Sequence, residues 1–184
     1  MVESGEVILP SEDEEREMYY YTKEFLERTG YKRYEISNYA KDGYECRHNI
    51  GYCKRVEYLG FGIGAASLFK GERFSNTSDI NRYMHILEED AMNADEIWEA
   101  LNENTESLTQ NDEMEEFMFL GLRMTDGVSK ADFKDQYGKS IESVYGEVLE
   151  KLEKQELICS SDDIIKLTDK GIDISNIVLA NFLL

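Results

Sequence analysis

The texture of this sequence changes near Phe74, and that change limits the chain to a β-containing unit followed by a mainly helical one. Before it, glycines interrupt β-prone residues. Residues 56–63 read Val-Glu-Tyr-Leu-Gly-Phe-Gly-Ile, and Gly64 continues the alternation begun by Gly60 and Gly62. The pattern predicts a buried strand over 56–63 with three glycines clearing one face, where a flat ligand or another backbone could lie. After Phe74, apolar residues recur at helical spacing. The expected division is therefore 1–75 and 76–184.

Within the first unit, Ser11 follows the only proline and precedes Glu14 by three positions, the spacing of a capping box. A helix is predicted over 12–29, stopped by Gly30. Tyr34 and Ile36 alternate with polar neighbours as in a strand, and the polar stretch 41–52 reads as a loop. In the second unit, 79–89 reads as a linking helix, and Met114, Phe117, Leu120 and Met124 mark a longer one over 111–124. Ser129 opens a short helix carrying Phe133. Ser140 opens another, with Ile141, Val144, Tyr145, Val148, Leu149 and Leu152 along one stripe. Residues 157–159 and 164–167 flank a polar turn and predict a hairpin, and Thr168 opens a last helix bearing Ile177, Val178 and Phe182. Helices followed by a small β-wing make a winged-helix-like module, against which Trp98 is expected to anchor the linking region.

Such a module invites a nucleic-acid reading, which the charge excludes. The formal net charge is −19 at pH 7, and the helix before the wing carries Glu142, Glu147, Glu150, Glu153 and Glu156 against Lys151 and Lys154. Pressing that helix onto phosphates is unfavourable. A 41% hydrophobic content supports a packed core. No apolar run approaches the ~20 residues of a membrane span and no basic-then-apolar leader opens the chain, so the expected location is cytoplasmic. Cys46, Cys53 and Cys159 are an odd, scattered set and read as reduced thiols.

Two stretches carry a family resemblance. Tyr34-Glu-Ile-Ser-Asn-Tyr-Ala40, Gly43-Tyr-Glu-Cys-Arg-His-Asn49, Tyr52, Tyr58-Leu-Gly60 and Gly62-Ile-Gly-Ala-Ala-Ser67 resemble the late barrel strands of the oxygen-independent coproporphyrinogen III oxidase-like proteins of the radical SAM class. Glu115 to Met124, Gly127-Val128, Phe133, Tyr137-Gly138, Leu167-Thr168, Gly171, Ser175-Asn176 and Phe182-Leu183 are similar to that family's C-terminal domain. The resemblance covers most of residues 8–184 in the family's order. It implies an α+β fold: the last strands of a partial radical SAM barrel over 1–75, then a mainly helical, winged-helix-like C-terminal domain over 76–184.

The same resemblance supplies the candidate sites. His48-Asn-Ile-Gly-Tyr52 is similar to the His-Asn-x-x-Tyr-Trp segment tied to heme binding in the family's chaperone branch, with Cys53 in place of the tryptophan. It implies heme contacts by His48, Asn49, Tyr52 and Cys53: an imidazole on iron, a ring beside the macrocycle and a thiolate as second ligand. From the residues alone, His48 and Asn49 could instead shape the loop by hydrogen bonding. Gly62, Gly64 and Ala65 match strand-end positions on the family's cofactor side, which implies contact with S-adenosylmethionine; close helix packing is the alternative.

The class holds a [4Fe–4S] cluster in a Cys-x-x-x-Cys-x-x-Cys loop. This sequence has no such triplet: six residues separate Cys46 from Cys53, and Cys159 lies in the other unit. No catalytic residue, cluster ligand or resident cofactor is therefore expected in the chain itself. It reads as a non-catalytic piece of a longer protein that carries the cluster, S-adenosylmethionine and, in the chaperone branch, heme. For that protein the resemblance implies heme binding and transfer, with oxidation of coproporphyrinogen III to protoporphyrinogen IX as the alternative and a substrate-covering lid as a third role. Expected partners are the missing N-terminal barrel, heme or another porphyrin, and further copies of the chain through strands left unpaired near 34–39 and 56–63.

Overall fold

The computed structural model describes residues 9–89 and 91–184. Helix α1, Glu12–Arg28, begins with the expected reciprocal cap: Ser11 Oγ accepts from the Glu14 amide, and the Glu14 carboxylate accepts from the Ser11 amide at 2.8 Å. Those bonds, the backbone one foremost, hold the Glu14 carboxyl below the usual carboxylate range. Gly30 ends the helix at φ +88°, and the Tyr31 amide returns to the Leu26 carbonyl at 2.9 Å. No residue of α1 is buried. Polar ties hold it: Tyr20 donates to Asp173, and Lys23 reaches Asp169 at 3.2 Å.

Strands β1, Lys32–Glu35, and β2, Asn38–Ala40, form an antiparallel hairpin. The other edge of β1 is also in use, since the Ile36 amide donates to the Arg123 carbonyl at 3.0 Å and the Thr125 amide to the Tyr34 carbonyl at 3.1 Å. That edge is thus less open to a second copy than the sequence suggested. Within the expected loop lies helix α2, Arg47–Cys53.

The strand expected over 56–63 does not form; only Tyr58 pairs there, with Leu68. Instead β3, Ala66–Phe69, and β4, Glu72–Asn76, make a hairpin whose turn residues Lys70 and Gly71 take φ +52° and +76°. The alternating glycines serve a winding turn rather than a flat strand face. Gly62 and Gly64 adopt φ +101° and +64°, and Asn76 Nδ2 donates to the Gly60 and Gly62 carbonyls at 3.2 and 2.8 Å. A side chain at Gly60 would meet the Ala66 carbonyl.

Helices α3, Ile80–Glu88, and α4, Ala94–Leu101, lead to β5, Asn102–Ser107, which pairs antiparallel with β4. The β3-β4-β5 sheet therefore runs across the division expected at 75. Trp98 packs edge-on against Phe74 of β4 with ring centroids 5.0 Å apart, so it anchors the linking region to this sheet rather than to the helical module.

The winged module follows: α5, Gln110–Gly121; β6, Val128–Ser129; α6, Lys130–Tyr137; α7, Ile141–Lys154; β7, Ile158–Ser160; and β8, Ile164–Leu167. Its sheet has the order β6-β8-β7. The expected last helix is broken at Ile174 into α8, Asp169–Asp173, and α9, Ser175–Leu179, with a 3-10 turn to Phe182. Met118, Phe133, Ile141, Ile165, Val178 and Phe182 are fully enclosed. The result is the expected α+β architecture with a winged-helix-like C-terminal module and no closed barrel among the described residues.

Tyr145 is 2% exposed, and its hydroxyl has no hydrogen-bond partner among the described residues. Burial pushes its pKa far upward. An unpaired buried hydroxyl is destabilising, whereas phenylalanine keeps the ring. Tyr145→Phe is therefore expected to raise stability by about 1 kcal/mol, read as a higher urea midpoint at unchanged slope.

Candidate functional site

Helical spacing places His48 and Tyr52, four residues apart in α2, on one face. Their rings meet edge-on with centroids 4.6 Å apart, and Tyr52 meets Tyr58 in the same manner at 4.5 Å. Three rings thus form a short ladder, with His48 exposed and Tyr52 39% exposed. The adjoining hollow, lined by Arg47, His48, Tyr52, Val56 and Tyr58, holds 150 Å³. Ligand-enclosing pockets start near about 300 Å³, so a large flat ligand would have to lie across this face.

Cys53 is not part of that face. It stands five residues from His48, about 140° around the helix. It is 5% exposed and borders a separate 410 Å³ hollow with Phe117, Gly121 and Met124. Burial first, then the Glu35 carboxylate, pushes its thiol pKa up. Enclosure and a raised thiol pKa both weigh against Cys53 as a thiolate ligand beside His48. Asn49 lies between these directions, and its Nδ2 is buried without a partner among the described residues. Loop shaping through that nitrogen is therefore not met.

Gly62, Gly64 and Ala65 sit in the turn before β3, not on a strand. The Gly64 amide donates to the Thr77 carbonyl at 3.0 Å, and neither Gly62 nor Gly64 has a neighbour where a Cβ would stand. Between them and just before them, Ile63 and Phe61 project outward, Phe61 being 89% exposed. The turn is an open, apolar, backbone-rich surface.

Sequence reasoning missed the groups that hold α2 in place. Arg55, two residues beyond α2, takes φ +52° and turns its guanidinium inward. Nε donates to Glu116 Oε2 at 2.8 Å, Nη1 donates to the Tyr137 hydroxyl at 3.3 Å, and Glu113 lies 3.6 Å from Nη2. Arg73 of β4 reaches the other Glu116 oxygen at 2.5 Å. Burial disfavours the Arg55 charge, yet the bond to Glu116 and the surrounding acidic groups leave its pKa raised. Burial also pushes the Tyr137 hydroxyl up to about 12. A second enclosed carboxylate, Glu35, accepts from the Ser37 amide at 3.0 Å, from Asn38 Nδ2 at 2.8 Å and from Arg123. The guanidinium–carboxylate pairs Arg55–Glu116, Arg73–Glu116 and Arg123–Glu35 lie too far apart in sequence for any spacing to announce them.

The donor set does not suit an iron–sulfur cluster. Cys46 and Cys159 are exposed and Cys53 is buried. Among the described residues, no three His, Cys, Asp or Glu side chains cluster as metal ligands. No helix among them is long and apolar enough to cross a membrane.

Residues 108–174 match the HemN C-terminal domain family. The chain is 36% identical over 180 residues to a Lactococcus lactis protein named heme chaperone HemW, an alignment covering 98% of this chain and 45% of that protein. Residues 108–174 belong to the HemN C-terminal domain family, and the chain is similar to HemW along nearly its whole length. A Bacillus subtilis protein of the same name is 35% identical, over 100% of this chain and 46% of the relative. Among solved structures, the Escherichia coli coproporphyrinogen III oxidase HemN, described as a radical SAM enzyme, superposes with a TM-score of 0.71 over 95% of this chain and 42% of that one. At 17% identity that likeness shows a shared fold. The chain spans a little under half the length of these relatives, and their N-terminal part has no counterpart in it. The HemN C-terminal domain takes in α5 to α8, including Glu116 and Gly171, whereas α2 and Arg55 precede it.

Proposed function

We propose that this chain is the part of a HemN-like heme chaperone that offers a porphyrin-contacting face made by His48, Tyr52 and Tyr58. The observation that carries the reading is the ladder of these three rings on α2 and the segment after it, with His48 and Tyr52 exposed and Tyr58 half-buried. A neutral imidazole ligates heme iron, and aromatic edges give a flat macrocycle an apolar contact. The relatives named heme chaperones support it, since they align along nearly the whole chain. Ligation rests on His48, because the Cys53 thiol is enclosed.

In this reading the backbone at Gly62, Gly64 and Ala65 meets S-adenosylmethionine in the complete protein, where the absence of side-chain neighbours permits close approach. The cluster belongs to the part of the relatives that this chain lacks. No catalytic step is assigned to the residues present. A second reading, oxidation of coproporphyrinogen III, is favoured by the fold shared with the oxidase. Turnover of that substrate by the complete, cluster-loaded protein would decide for it.

Titration of the chain with hemin tests the first reading. A Soret band is expected for the wild-type chain and for Cys53→Ser, whereas His48→Ala should bind at least about tenfold more weakly. Identical spectra for wild type and His48→Ala would remove the histidine as a ligand.

A further inference from the structure

We propose that Glu116, inside the HemN C-terminal domain, is the positioning residue for the His48–Tyr52 face, acting through Arg55. The proposal rests on the porphyrin-face reading above. It adds that the C-terminal domain sets where that face points.

Helix α2 has only seven residues, and Cys46, at its N-cap, makes no side-chain cap. So short a helix has little stability of its own. Its C-terminal end is fixed by Arg55, whose left-handed backbone is unusual for a residue with a side chain and turns the guanidinium into the protein. There Glu116 accepts from Arg55 with one oxygen and from Arg73 with the other, so one carboxylate joins the segment after α2, strand β4 and helix α5. Tyr137 extends the clamp, accepting from Arg55 and donating to the Glu113 carbonyl at 3.0 Å. The Arg55 and Glu116 side chains are only 6% and 8% exposed, so water competes little for either. Between Tyr52 and Tyr58 the chain passes through Arg55, and moving Arg55 would therefore open the ring ladder. The geometry is that of an outer group orienting a ligating side chain, here supplied by a different domain from the ligand.

Cys53 provides a readout that does not depend on heme. Cys46 and Cys159 are exposed, whereas Cys53 is shielded where α2 meets α5 and the loop after it. In wild type, dithionitrobenzoate should react with two thiols quickly and with the third slowly. In Glu116→Gln, and in Arg55→Gln as an independent break, the third thiol should react about tenfold faster or more while cooperative thermal unfolding is retained. Hemin affinity in both should fall about tenfold to hundredfold, with a Soret band shifted towards that of His48→Ala. Glu103→Gln, which removes a carboxylate paired with only Arg82 among the described residues, should behave as wild type in both assays.

Unchanged protection of Cys53 in both variants would overturn the proposal. Loss of cooperative unfolding in both would also overturn it, by making the triad a requirement for folding at large. If wild type shows no His48-dependent Soret band, the porphyrin reading falls, and Cys53 protection still decides whether Glu116 positions α2.

Discussion

Alanine at Phe133 is expected to remove about 3–5 kcal/mol of stability, enough to leave the winged module barely folded. Phe133 is wholly enclosed and meets three rings edge-on: Phe117 at 5.3 Å, Tyr137 at 4.8 Å and Tyr145 at 6.4 Å. Truncation forfeits the transfer energy of the ring and leaves a cavity among side chains from α5, α6 and α7. Three helices anchored elsewhere cannot close over it. With a urea slope of about 1–3 kcal/mol per molar, the midpoint should fall by more than about 1 M. A drop below about 0.3 M would mean that the module relaxes around the gap, and that the aromatic cluster is not the centre of its core.

Gly171→Ala should be at least as damaging, for a backbone reason. A Cβ at this position in α8 would collide with the Leu157 carbonyl group. That oxygen already accepts the Thr168 amide at 3.1 Å and the Thr168 hydroxyl at 3.3 Å, which together seat the start of α8 on the strand hairpin. No rotamer change relieves a clash between a Cβ and main chain, so α8 must lift away. Lifting it breaks the Thr168 bonds and unpacks Ile172. A loss of about 4 kcal/mol is expected, together with rapid proteolysis after α7. An alanine variant with wild-type melting temperature and protease resistance would show that α8 is not seated as described.

These two positions differ in how visible they are from sequence. Phe133 falls four residues after Ser129, whose hydroxyl caps α6 by accepting the Asp132 amide at 3.1 Å. Both facts lie within one helical turn. Gly171 carries no local signature of its contact with Leu157, because the two are brought together by the β7–β8 hairpin. The same contrast explains the strand misplaced at 56–63. Alternating glycines are compatible with a cleared strand face or with a turn needing positive φ, and Asn76, far along the chain, supplies the amide that ties Gly60 and Gly62 into the turn. Strand β5 reads Asn-Glu-Asn-Thr-Glu-Ser and is mostly exposed, so it shows no apolar alternation. It exists because β4 offers it a hydrogen-bonding edge.

The candidate site divides along the same line. The His48, Asn49 and Tyr52 segment was legible as a string, but a string read as a loop says nothing of facing. Once it is helical, four-residue spacing unites His48 with Tyr52, and five-residue spacing sends Cys53 to the opposite side.

By itself, the sequence determined where the capped helices start, the apolar stripe of the winged module, the family likeness and the lack of a cluster-binding cysteine triplet. Each is a matter of short-range hydrogen bonding, periodicity or plain residue order. Only the tertiary structure decided which way α2 faces, that Cys53 is enclosed, and that Glu116 grips Arg55 from 61 residues away. Those outcomes depend on groups that meet only after the chain has folded, and no local preference of backbone or side chain encodes them.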